Sequence, residues 1–128
     1  MDEMNEVILP SIKKLLGIPG SNDHFDVDLI MYINMAFATL FQLGVGPKDN
    51  AYKISTGEEL WIEFTRDQLN IENVKTYVML KTKLAFDPPV TGAAMESLKE
   101  LIRESEWRLN VECDITAYLL DEKRKGGD

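Results

Sequence analysis

Apolar positions recur at steps of three and four along most of the chain, and this pattern predicts helices separated by loops. Ile8, Ile12, Leu15 and Leu16 fall on one helical face within residues 5–16, and Gly17 stands just past the end. Pro10 interrupts this pattern and suits a first turn, so the helix can begin as late as that residue. After a loop over Pro19, Gly20 and Ser21, a long second helix is expected to start at Asn22 or Asp23, either a good N-cap. It carries Leu29, Ile30, Ile33, Ala36, Phe37, Leu40 and Phe41, and stops at Gly44-Val45-Gly46-Pro47. No charged residue occurs over 29–47, and the side away from the main stripe carries Met31, Met35 and Ala38. This second helix is therefore apolar almost all round.

Residues 48–56 read as a polar loop or one short hairpin, since Tyr52 and Ile54 alternate around Asp49-Asn50. Thr56 and Glu59 have the spacing of a capping box, which opens a short helix with Leu60, Trp61 and Phe64 on one side. Asn70 caps a fourth helix whose shared face holds Ile71, Val74, Tyr77, Val78, Leu84 and Ala85. Pro88-Pro89 ends it, because proline cannot continue the hydrogen-bond ladder and restricts the residue before it. Thr91 or Gly92 opens a fifth helix with Met95, Leu98, Ile102, Ser105 and Leu109 on one face, expected to end near Asn110. The fold expected is all-α, a small bundle of about four to five helices. One helical domain is expected over 1–112. Residues 113–128 form a C-terminal tail that is flexible or orders on docking.

Composition narrows the function more by exclusion than by motif. At 128 residues, 45% of them apolar, the chain is long enough for one modest core. Twenty-two acidic against 14 basic residues give a formal charge of −8, a poor match for gripping nucleic-acid phosphates. The single Cys113 excludes an internal disulfide and a cysteine-based metal site. The acidic N-terminus has no apolar signal region, so synthesis in the cytoplasm is expected. The uncharged run over 29–47 approaches membrane-span length, but Asn34, Thr39 and Gln42 interrupt it and no basic anchor flanks it. The better reading is a buried helix that also meets a neighbouring subunit.

The lone His24, set among Asp23, Asp26 and Asp28, suggests a metal only superficially, since a helix N-terminus favours acidic residues through its dipole. With one histidine, no phosphate-cradle glycines and carboxylate pairs such as Glu58-Glu59 on expected surface, no catalytic constellation emerges. No enzyme activity, metal or cofactor is expected. Two residues stand out instead. Lys81 falls inside the apolar stripe of the fourth helix, either as a lysine with a buried stem or paired with a carboxylate of the fifth. Trp107 lies about 140° around the fifth helix from its apolar stripe, at 100° per residue. It is either covered by another part of the chain or is an anchor for a partner. Trp107, Met31, Met35 and Lys81 are the candidate interface residues.

Three segments carry a family resemblance: Met31-Tyr32-Ile33-Asn34 with 42–47, 74–89 with its Asp87-Pro88-Pro89 end, and Glu106-Trp107-Arg108-Leu109-Asn110-Val111. In order and at compatible spacing over roughly 26–112, they resemble small head-tail connector proteins of tailed bacteriophages. The resemblance implies a structural adaptor that forms a dodecameric ring beneath the portal, extends the DNA channel and docks the stopper or tail-completion protein. It implies a place in the virion neck, a monomer or weak oligomer in isolation, genome DNA that passes without specific binding, and no membrane. The acidic chain agrees, because acidic channel walls would repel phosphates. A generic helical module that docks on another protein's helix is the alternative.

Overall fold

The computed structural model describes the backbone of residues 5–65 and 71–126, and the side chains of 5–65, 71–111 and Glu122. Five helices follow one another among the described residues: α1 (Ile8–Leu16), α2 (Asp26–Gln42), α3 (Trp61–Phe64), α4 (Ile71–Phe86) and α5 (Gly92–Gly126). α4 is the central element: α2 packs along it most extensively, α5 lies on it, and α1 touches both α4 and α2. The all-α expectation holds. Residues 48–56 form an extended loop rather than a hairpin, and the β pairing among the described residues is one isolated bridge between Val7 and Leu60. Asn34 explains why the loop needs no second strand. Its side-chain amide donates to the Ile54 carbonyl at 2.9 Å and accepts from the Ile54 N–H at 2.8 Å, as a strand backbone would.

Each helix end has a local cause. Pro10 sits in the first turn of α1, where its missing N–H would have had no helical partner. Gly17 adopts φ 79°, and the Ile18 N–H reaches back to the Lys13 carbonyl at 2.9 Å, which closes the helix. α2 starts at Asp26, later than Asn22 or Asp23, because Asn22 is engaged elsewhere. Its side-chain oxygen accepts the His24 N–H at 3.1 Å, and its carbonyl accepts the Lys13 ammonium at 2.6 Å. Asp26 and Asp28 then occupy the first turn, where the helix dipole favours them. Gly46 follows the end of α2 at φ 93°, and a Cβ there would lie 2.5 Å from the Phe64 ring. Only glycine fits that approach.

Thr56 does not cap α3. Its hydroxyl takes the Glu58 N–H at 3.1 Å, while Glu63 turns back to accept the Leu60 N–H at 2.6 Å. Asn70, the expected cap of α4, lies outside the described residues. α4 stops before Pro88-Pro89 as expected, and Thr91 caps α5 by accepting the Ala94 N–H at 3.1 Å. The stop expected near Asn110 does not occur: the backbone stays helical to Gly126. At 35 residues α5 is about 52 Å long, against about 24 Å for the 16 residues of α4.

The core joins these elements through an aromatic cluster. Phe37 is fully buried, with the rings of Phe64, Tyr52 and Trp61 centred 4.8, 5.3 and 6.1 Å away. The Trp61 indole N–H is satisfied by the Ser11 hydroxyl at 2.8 Å, so a large ring is buried without an orphan donor. Inward residues of α4 (Ile71, Val74, Tyr77, Val78 and Leu80) meet Leu98, Ile102 and Leu109 of α5 in the same core. Leu15 and Ala85, both expected on buried faces, are exposed. Their helices present narrower inward stripes than spacing alone suggests.

Candidate interaction surfaces

α2 has two unlike sides. Leu29, Ile33, Ala36, Phe37 and Leu40 face the core and are fully buried. On the other side Val27, Met31 and Met35 recur every four residues and stay 81%, 51% and 58% exposed. A shallow groove of about 500 Å³ runs along this side, lined by Val27, Ile30, Met31, Asn34, Met35, Ala38 and Lys53. A smaller cleft of about 140 Å³ adjoins it at Met35, between α2 and α4, and is lined by Tyr32, Lys81, Leu84 and Ala85. Lys81 is half-buried, as a lysine with a packed stem should be, and among the described residues it forms no ion pair with α5. The structure therefore brings Met31, Met35 and Lys81 onto one continuous surface.

Trp107 belongs to a different surface. It is 67% exposed on α5 and is left uncovered among the described residues. Its neighbours along the helix form two ion pairs, Arg103 with Glu100 and Arg108 with Glu104, which hold charged side chains on either side of it. The face of α5 turned to α4 is fixed differently: the buried Tyr77 hydroxyl donates to the Glu106 carboxylate at 2.7 Å. Burial first, and then the adjacent Glu106 carboxylate, push the Tyr77 hydroxyl above its ordinary pKa.

Sequence reasoning missed two polar anchors. Lys13 is almost entirely buried, and its ammonium donates to Asp26 at 2.8 Å and to the carbonyls of Asn22 and Gly20 at 2.6 and 3.4 Å. It thereby ties α1, the following loop and the start of α2 together. Its signal was present in the chain, since position 13 follows the inward Leu9 by one helical turn. Glu59 was read as half of a capping box, but its carboxylate fills a nest of backbone donors: Ser55 at 2.7 Å, Gly57 at 3.0 Å and Thr56 at 3.1 Å. Burial acts to raise its pKa, but these N–H donors prevail and hold it at about 2. Tyr52, in the loop beside it, is pushed up to about 12 by burial and by the carboxylates of Glu63 and Glu59.

Among the described residues no group of three His, Cys, Asp or Glu side chains could hold a metal ion, and His24 is an exposed residue packed edge-on to Phe25 at 4.7 Å. No helix among them is long and apolar enough to cross a membrane. What the geometry offers is uncovered apolar surface.

A family model described as phage connector protein matches residues 8–116, from the first residue of α1 into the C-terminal half of α5. The chain belongs to the phage connector protein family. The match is wider than the segments that first carried the resemblance: it adds α1 and the Lys13 clasp at one end. Neither a curated protein nor a solved structure gives a significant match. Within this connector the family match spans both surfaces, since Met31, Met35, Lys81 and Trp107 all fall inside it.

Proposed function

We propose that the chain is a head-tail connector subunit: an adaptor of the virion neck that assembles as a ring under the portal, extends the DNA channel and receives the stopper or tail-completion protein. A connector of this kind is a structural part, not an enzyme. The observation that carries the reading is the bare side of α2, where Val27, Met31 and Met35 stay exposed while the opposite side is completely covered. Partner-facing methionines suit such a role, because their flexible side chains adapt to the surface they meet. Contiguous apolar patches of this type mark interaction sites on otherwise soluble surfaces.

The charge of −8 supports the channel part of the proposal. An acidic lining repels phosphates, so DNA can pass without being gripped. The test is to mix the purified chain with the portal protein encoded by the same genome and follow mass by light scattering. A shift from monomer or weak oligomer to one large complex is expected. No shift with that portal sinks the proposal.

A further inference from the structure

We infer that α5 is a hinged arm: it opens from the bundle about Pro88-Pro89 as one unit while α1 to α4 stay folded. The reason lies in how unevenly the helices are held, and it is independent of the ring reading above. Among the described residues α4 is the helix that α5 packs against extensively. α4 itself also packs against α2 and α1, and those two meet each other. Taking α5 away therefore leaves the mutual packing of α1, α2 and α4 intact.

The ties that lock the rest of the bundle bypass α5. The aromatic cluster joins Phe37 of α2 to Tyr52, Trp61 and Phe64, and the Trp61 indole is bonded to Ser11 of α1. Lys13 clasps α1 to Asp26 of α2, and Lys75 of α4 pairs with Glu6 at 3.5 Å. By contrast, both ion pairs of α5 among the described residues, Arg103 with Glu100 and Arg108 with Glu104, lie within the helix. They support α5 as a helix and do not fasten it to a neighbour. Its described anchors are the buried Leu98, Ile102 and Leu109, with the Tyr77–Glu106 hydrogen bond at 2.7 Å. From Leu98 to Leu109 these span about 17 Å of a helix about 52 Å long.

The hinge is bare as well. No residue from Asp87 to Ser97 is buried, and Val90 is 99% exposed. Pro88 and Pro89 carry no N–H, so they have no backbone donor bonds to break when the segment turns. The helices on either side are closed by their own local bonds. The Asp87 N–H reaches the Lys83 carbonyl at 2.8 Å at the end of α4, and Thr91 caps α5. Both helix ends therefore stay satisfied while the direction of α5 changes. A segment opens separately when few buried contacts cross its boundary, and α5 meets that condition where α2 does not. Opening exposes Leu98, Ile102 and Leu109 on α5 and the Tyr77 side of α4, apolar surface that the closed subunit hides.

Hydrogen exchange of the full chain, read amide by amide by NMR under native conditions and corrected for intrinsic rates, tests this. The amides of residues 98–109 should exchange at least about tenfold faster than the slowest amides of α2. Ile33→Val, a change at a fully buried position of α2, should speed the α2 amides about fivefold. It should leave those of α5 within about twofold, because the packing around Ile33 is the same with the arm closed or open. Tyr77→Phe should speed the 98–109 amides about fivefold, since the bond to Glu106 is lost on opening. Equal exchange in α2 and α5, or an Ile33→Val that accelerates both alike, makes the bundle one cooperative unit and overturns the arm. Unchanged α5 exchange in Tyr77→Phe overturns it too, because that bond then does not hold the arm closed.

Discussion

The two sides of α2 are built from nearly the same residue types and have opposite fates. Leu29, Ile33, Ala36, Phe37 and Leu40 are sealed against the aromatic cluster and α4, while Val27, Met31 and Met35 stand in solvent. Hydrophobicity does not separate them; cover does. A bundle of this size has enough surface to hide one side of its most apolar helix and not the other. The difference teaches that the sealed side holds the subunit together, while the bare side is the surface that the proposed connector role would use.

The comparison breaks hardest at Phe37. Phe37→Ala should cost about 4 kcal/mol in denaturant unfolding, because the cavity opens among packed rings. Met31→Ala on the bare side should change stability by less than about 0.5 kcal/mol, as exposed substitutions do. A comparable loss at both positions would erase the distinction between the two sides.

Lys13→Ala comes next, at about 3 kcal/mol in the same measurement, since it strips a buried stem and leaves Asp26 and two carbonyls without their donor. Asp26 keeps 30% of its side chain in solvent, so Asp26→Ala should cost less. Glu59→Ala removes the acceptor for three backbone donors and should cost about 2 kcal/mol. The same site sets an acid limit. The folded carboxyl sits at about 2 against an ordinary 4.5, so its contribution is complete above pH 4.5 and is lost as pH falls towards 2. Glu59→Gln should flatten that part of the stability-against-pH curve.

The smallest effect on stability and the sharpest on function belong together. Met31→Glu with Met35→Glu should leave the unfolding transition within about 0.5 kcal/mol of the natural protein. It should still weaken capture by the portal-bound assembly at least about tenfold, read by light scattering, because a charge cannot be buried unpaired at a contact. Unchanged capture would show that the bare side of α2 is not used.

Much of the fold was legible in the chain itself. Helical periodicity, the Gly44–Pro47 stop, the Pro88-Pro89 stop and the Thr91 cap all act through local backbone chemistry, and each held. The start of α2 was misplaced because Asn22 is claimed by Lys13, a contact with a residue of the preceding helix. The extent of α5 was misplaced too, since alternating charged and apolar residues after Val111 read as a tail and are in fact helix. Of the candidate surface residues, spacing alone picked out Met31, Met35, Lys81 and Trp107, while Val27 and Lys53 emerged only with the groove.

The sequence by itself determined that the chain is a helical bundle, where its main stops fall, and that it carries more apolar surface than one bundle needs. These properties follow from side-chain spacing and from the backbone preferences of glycine and proline, which operate within a few residues. Only the tertiary structure decided which side of α2 is covered, that Lys13 closes the first loop, and that Trp107 faces outward on a helix running past its neighbours. Those outcomes depend on which elements pack together, and packing joins residues that local spacing does not relate.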